Sequence, residues 1–385
     1  MRTEGASRIA LRLFRPAFCA LLYVIVTSVA VNTFLSRWGF RGEGETSYFQ
    51  KLLTHTASRP YVFRVLTPAV INALSPLVPD RVVQAIVRVD EGREDPNWPT
   101  YSARKRFNWG KQSTAAHFLA YGIVFGTLLG TLLVLRRLTR DLGGASALFV
   151  DVAPAMACLF LPLTFGRGGY IYDFPELLFC SLCLFALLQR RWGLHYVCYG
   201  LACLNKEADV LLWVLFAALW ARRMPWRSLL AHSALHGAIA LPILVWERIA
   251  FAANPGFGVE FHLWDNLRFW FSIRPWVTFW DVYSPLLPAP RPFNVLVLFL
   301  AGILILRGWA RKPPELRAAF LALSAVLAPL LLAFGFHDEV RNLSLVFPVF
   351  YLLACQGMLE MAGERIQPVA LPVADSRDAG SRDAA

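Results

Sequence analysis

Several groups of ionisable residues do not simply flank an apolar block. Glu43 and Glu45 alternate with Gly42 and Gly44, and Arg59 and Arg64 follow them. Arg167, Asp173 and Glu176 form a second group, Lys206, Glu207 and Asp209 a third, and Glu247 and Arg248 a fourth. His337, Asp338, Glu339 and Arg341 form a fifth. Carboxylates mixed with Lys and Arg can supply a general base together with a clamp for a phosphate-bearing group. Each group also has a plainer use. Asp173 and Glu176, three apart with Pro175 between, have the spacing of a capping box at a helix start. Glu339 and Arg341 fit an interfacial ion pair, and Glu43 and Glu45 fit solvated loop charges. His232 and His236 have i,i+4 spacing but no third ligand, so no metal is expected on them. All seven cysteines lie in apolar stretches, Cys180 and Cys183 as a CxxC, and neither a disulfide framework nor a redox centre is expected.

Composition defines the scaffold that must hold these groups. The chain has 385 residues, 57% of them hydrophobic and 17% charged, whereas soluble domains carry about 25% charged residues. The apolar residues fall in discrete blocks about as long as a bilayer core requires, roughly 17–25 residues. Eight full spans are expected, over residues 16–35, 114–135, 145–165, 174–188, 229–252, 293–306, 316–336 and 343–361. The net charge of +12 sits just outside them, in Arg2 to Arg15, Arg136 to Arg140, Arg190-Arg191, Arg222 to Arg227 and Arg307 to Lys312. That placement is the positive-inside pattern rather than a nucleic-acid surface. It puts both termini and every short basic loop in the cytoplasm, and the mixed-charge groups on the opposite face.

Between Arg190-Arg191 and Arg222-Arg223 lies one apolar stretch broken by Asn205-Lys206-Glu207-Ala208-Asp209. Both ends are cytoplasmic, so it crosses an even number of times. Its arms are too short for two full spans, and a short-helix hairpin is expected, its polar tip buried in protein or lining a wet cavity. Two long outer loops follow from the same topology, residues 36–113 and 254–292. The amphipathic stretch 65–89 in the first reads as lying along the membrane surface or re-entering shallowly. Trp264, Trp270, Trp276 and Trp280, with Arg268 and Arg274, give the second the composition of an interfacial segment. Residues 1–361 form a single transmembrane domain, and 362–385 read as a disordered cytoplasmic tail.

This layout resembles the GT-C class of membrane glycosyltransferases, and the resemblance covers about residues 30–360. Gly42-Glu43-Gly44-Glu45 with Tyr48 stands where that class carries an acidic motif after its first span. Leu204-Asn205-Lys206-Glu207 resembles its Leu-x-Lys-Gly-Pro-like element, with Glu replacing Gly. Glu339-Val340-Arg341, with Pro348 in the last span, resembles its Glu-x-Arg element. The stretch from Arg59 to Pro68 resembles a segment of related bacterial membrane proteins. The resemblance implies an all-α integral membrane protein with outer-face loops and interfacial helices, in a bacterial plasma or inner membrane. It implies transfer of a sugar from a polyprenyl-phosphate donor to a glycan, lipid or protein acceptor outside the cytoplasm. Glu45 or Glu43 is the expected base, with Asp173 assisting it or holding a divalent cation such as Mg²⁺ or Mn²⁺. Lys206, Arg341 and Arg64 are the expected phosphate ligands. Nucleotide sugars are excluded as donors, because they are cytoplasmic and no glycine-rich phosphate loop is present. The rivals are a transporter or flippase using the same charges, and a non-catalytic subunit of envelope polysaccharide assembly.

Overall fold

The computed structural model describes residues 2–38, 48–91, 111–142, 145–158, 161, 169–280, 289–291, 293–337 and 339–364. The elements are helical apart from a two-residue antiparallel ladder, Phe279–Trp280 with Ala289–Pro290. Helix α1 spans Arg2–Trp38, α2 Tyr48–Leu53, α3 Leu66–Leu74 and α4 Asp80–Glu91. Then come α5 (Lys111–Asp141), α6 (Ala147–Ala157), α7 (Asp173–Leu188), α8 (Trp192–Asn205) and α9 (Leu212–Trp220). Helix α10 covers Trp226–Ala250, α11 Leu263–Trp270, α12 Arg274–Val277, α13 Val295–Leu306, α14 Pro314–Phe334 and α15 Phe347–Met361.

Five helical segments are long and apolar enough to cross a membrane: Phe14–Leu35, Thr114–Asp141, Trp226–Ala250, Pro314–Phe334 and Val340–Met361. Eight full spans were expected. The segments beginning at 145, 174 and 293 give described helices of 11, 16 and 12 residues, the shortest only about 16 Å of rise. Of the apolar window of α10 only 11% is buried, against 72% for Val340–Met361. Leu230, Leu241, Val245, Trp246 and Ile249 of α10, and Leu296, Phe299 and Leu300 of α13, face outward. Apolar surface this continuous needs an apolar neighbour, and these are the proportions of a helical membrane protein.

Helix α7 is the axis. Twelve of its residues are buried, as expected of a helix apolar all round, and it packs along α5 and α8. The ends of the helices sort by charge. At one end Arg15 and Arg136 meet Asp151, Gln189 meets Asp141, Arg223 meets Glu315 and Arg311 meets Glu360. Lys312, read from sequence as an orienting charge, is buried there instead. Its ammonium donates to the carbonyls of Leu304, Ile305 and Leu353 at 2.7–2.8 Å, tying the end of α13 to α15.

The expected hairpin is present as α8, a 3-10 turn over Glu207–Leu211, and α9. The 14 residues of α8 rise about 21 Å and the nine of α9 about 14 Å. The tip is largely enclosed: Asn205, Lys206 and Asp209 are buried, and Glu207 and Ala208 are half-buried at the cavity. Between α2 and α4, α3 packs against α5 and α8, which draws the stretch after Arg64 down onto the tip.

Candidate functional site

The elements that meet at the other end each bring ionisable groups, for local reasons. Helix α8 stops at Asn205 because the Asn205 side chain turns away from the helix. It donates to the Tyr172 carbonyl at 2.9 Å and accepts from the Thr67 hydroxyl at 3.0 Å. Lys206 then adopts an extended backbone, φ −157° and ψ 130°, and points across to α7. There its ammonium meets both oxygens of Glu176, at 2.9 and 3.1 Å. Glu176 is therefore the counter-ion of Lys206, not a helix cap. Asp173 does not close a capping box either: the N-cap is Tyr172, and Asp173 Oδ2 accepts the Tyr170 backbone N–H at 2.7 Å.

Arg64 follows a 3-10 turn over Tyr61–Phe63, whose Val62 and Phe63 are buried. Its guanidinium donates to both oxygens of Glu207 at 3.2 and 3.3 Å, and also to the Tyr172 hydroxyl. Arg341 enters from the 3-10 turn Val340–Val346 and lies 3.2 Å from Asp173 and 3.1 Å from Glu339. Tyr170 and Tyr172 stack with centroids 5.0 Å apart and planes 10° from parallel. Arg64 sits over one ring and Arg341 over the other, both at 4.4 Å. Such cation–π contacts hold a guanidinium in place while leaving N–H groups for an anion.

These side chains border one cavity of about 390 Å³. Arg64, Lys206, Glu207, Glu339 and Arg341 line one side, and Leu327, Leu330, Leu331 and Phe334 of α14 form an apolar wall. Tyr61, Arg248, Glu260 and His262 also contribute. Burial, reinforced by the neighbouring Tyr170, pushes the Tyr61 phenol above its ordinary pKa, so Tyr61 offers a neutral hydroxyl. His262 lies 3.2 Å from Glu260, and its backbone N–H donates to Ala333 at 2.8 Å. The segment after α10 is fastened to α14 by that bond and by Asn266, which donates to Leu332 and Gly335 at 2.7 Å.

The three expected phosphate ligands, Arg64, Lys206 and Arg341, thus come together from separate parts of the chain. The expected carboxylates do not form a set. Asp173 meets Arg341 through Oδ2, while its Oδ1 is buried without a hydrogen-bond partner among the described residues. Glu43 and Glu45 lie outside the described residues, as do Arg167 and Asp338. Among the described residues no group of three or more His, Cys, Asp or Glu could hold a metal, and no step is assigned to one. His236 meets His195 at 2.8 Å, and His232 meets Tyr196.

Sequence reasoning grouped Arg248 with Glu247 but gave it no role at the site, and it passed over one further feature. Arg248 reaches the cavity over the Phe63 ring at 4.3 Å and forms no ion pair among the described residues. The feature passed over is the Tyr170–Tyr172 platform, which stood next to Asp173 and was equally visible. Among the described residues, both oxygens of Asp209, Oε1 of Glu247 and Oδ1 of Asp173 are buried without hydrogen-bond partners.

Fold and site define a helical protein, with helices able to cross a membrane, that gathers buried cations at one end beside an apolar wall. No protein-family model matches the chain, and neither curated proteins nor solved structures show a match.

Proposed function

We propose that this protein is a multi-pass glycosyltransferase of a bacterial plasma or inner membrane. It moves a sugar from a polyprenyl-phosphate donor to a glycan, lipid or protein acceptor on the extracytoplasmic face. One observation carries the reading: Arg64, Lys206, Arg341 and Arg248 border a single cavity whose other wall is the apolar face of α14. A phosphate joined to a long hydrocarbon needs both surfaces side by side, since a phosphodiester at low dielectric requires fixed cationic donors. Among the described residues Arg248 forms no ion pair, and Arg341 Nε has no hydrogen-bond partner. These two receive the phosphate first, with Arg64 and Lys206 held nearby by Glu207 and Glu176.

In the transfer step the acceptor hydroxyl oxygen bonds to the sugar C1 while the bond from C1 to the phosphate oxygen breaks. The hydroxyl proton goes to a carboxylate, for which Glu45, then Glu43, is the candidate. The phosphate leaves with the electron pair and is stabilised by the cations. The test is purified protein in nanodiscs with a panel of polyprenyl-phosphate sugars, scored for binding and for transfer. Glu45→Gln is expected to bind the donor but to transfer about 10²–10⁴-fold more slowly. If neither Glu45→Gln nor Glu43→Gln slows transfer, the assignment of the base fails.

Buried carboxyl oxygens of Asp209 and Glu247 that lack hydrogen-bond partners among the described residues favour a second reading, translocation of a lipid-linked substrate coupled to protonation of these groups. Movement of labelled lipid across vesicles without sugar transfer, abolished by Asp209→Asn, would establish it in place of the first.

A further inference from the structure

A second cavity, of about 660 Å³, lies at the opposite end of the molecule between α1 and α5. Arg15, Arg136 and Arg140 line it together with Tyr23, and Ala20 and Leu133 form its apolar side. Asp151, buried at 3% exposure, holds two of the three guanidinium groups. Arg15 Nε donates to its Oδ2 at 2.6 Å, and Arg136 Nε and Nη2 both donate to its Oδ1, at 2.9 and 2.6 Å. Arg15 Nη2 is anchored on the Ala147 carbonyl at 3.1 Å, and Tyr23 donates to the Asp151 carbonyl at 2.9 Å. Asp151 thereby orients the forks without neutralising the pocket, for three arginines face one carboxylate. The Nη1 groups of Arg15 and Arg136 make no hydrogen bond among the described residues, and neither does any nitrogen of exposed Arg140.

We infer that this cavity binds the head group of an anionic phospholipid. Three observations select that ligand. The cations are prearranged, as phosphate recognition by arginine requires. Leu133, 53% exposed beside them, and Ala20 offer acyl chains a surface on the outside of two membrane-length helices. The cavity also lies at the arginine-rich helix ends that the positive-inside pattern assigns to the cytoplasm, the leaflet where basic pockets between helices take anionic lipids. A bound lipid would join α1 to α5 and α6 and stabilise their packing. This inference is independent of the sugar-transfer reading, which concerns the other end of the molecule.

The test is native mass spectrometry of the full-length protein in mixed micelles containing equal phosphatidylglycerol and phosphatidylcholine. Arg140→Gln is the informative variant, because Arg140 takes no part in the Asp151 clamp and its loss leaves the fold intact. The exposed Arg227→Gln serves as a control for diffuse charge. The parent is expected to retain phosphatidylglycerol in preference to phosphatidylcholine, and Arg140→Gln to lower that retention about tenfold. Arg227→Gln and millimolar inorganic phosphate should leave it unchanged. Equal retention of the two lipids, or no loss in Arg140→Gln, overturns the inference. An equal loss in Arg227→Gln also overturns it, by showing general charge attraction. Displacement by inorganic phosphate would assign the pocket to a free anion instead of a lipid.

Discussion

The Lys206 ammonium and the Glu176 carboxylate, 30 residues apart in the chain, face each other at 2.9 and 3.1 Å, with both side chains almost wholly buried. This pair ties the hairpin tip to the head of α7, and the other charges of the cavity are arranged around it. An ion pair so deep is costly to break from one side, because the surviving charge is left in a medium that cannot solvate it.

Glu176→Gln is accordingly expected to destabilise the protein by about 3–5 kcal/mol, and Lys206→Met by a similar amount. The double variant Glu176→Met/Lys206→Met should be more stable than either single change, since no charge remains unpaired. Thermal unfolding in one detergent measures all three. Additive losses in the double variant would show that the two groups do not depend on each other.

Arg248→Gln should separate binding from folding. The side chain is exposed, has no ion pair among the described residues, and reaches the cavity over Phe63. The unfolding temperature is expected to stay within a degree or two, while affinity for a polyprenyl phosphate falls about tenfold. Arg341→Gln, which also strands Asp173, should lower both. Unchanged lipid-phosphate affinity in Arg248→Gln would remove it from the site.

The topology has a direct test at Ala208, which borders the cavity at the hairpin tip. All seven native cysteines are free and buried, so Ala208→Cys can be read against a quiet background. Impermeant thiol reagents are expected to label it from the extracytoplasmic side alone. Labelling from the cytoplasm would place cavity and basic loops on the same face and sink the proposed orientation.

Gly357 marks the closest approach of α15 to α13. A Cβ there would lie 2.1 Å from the Leu304 carbonyl oxygen, a backbone atom that cannot swing aside. Small residues permit such contact between apolar helices. Gly357→Ala should destabilise the protein by at least about 1–3 kcal/mol, and it should also disturb the Lys312 bonds to Leu304 and Leu353. Gly302→Ala on α13, where a new Cβ meets nothing within 4 Å, should leave the unfolding temperature unchanged.

Much of the scaffold was legible because hydropathy and charge flanks are local properties. The break at Asn205 to Asp209, with arginine pairs on both sides, was enough to require a hairpin. The grouping of Arg64, Lys206 and Arg341 followed from alternating the direction of the spans. What the chain did not reveal was how each charge is used. Asp173 and Glu176 carry the spacing of a capping box, yet Glu176 turns to Lys206 and Asp173 to Arg341. Lys312 stands among orienting arginines, yet it is buried on three carbonyls. The span count is not settled by the described helices, five of which are long and apolar enough to cross a membrane. An apolar run read from sequence does not show where its helix stops, and the described helices α6, α7 and α13 have 11, 16 and 12 residues.

The sequence by itself determined which segments are apolar enough to form spans, which helix ends carry the orienting charge, and which polar residues share the opposite end. Burial and sidedness depend on the summed character of some twenty neighbouring residues, and that sum survives small errors in any one of them. Only the tertiary structure decided that Lys206 pairs with Glu176, that Arg248 keeps no carboxylate among the described residues, and that the leucines of α14 face the cations across one cavity. Ion pairs and hydrogen bonds form over separations near 3 Å. Whether two side chains come that close is set by how α7, α8 and α14 pack, which no local pattern in the chain encodes.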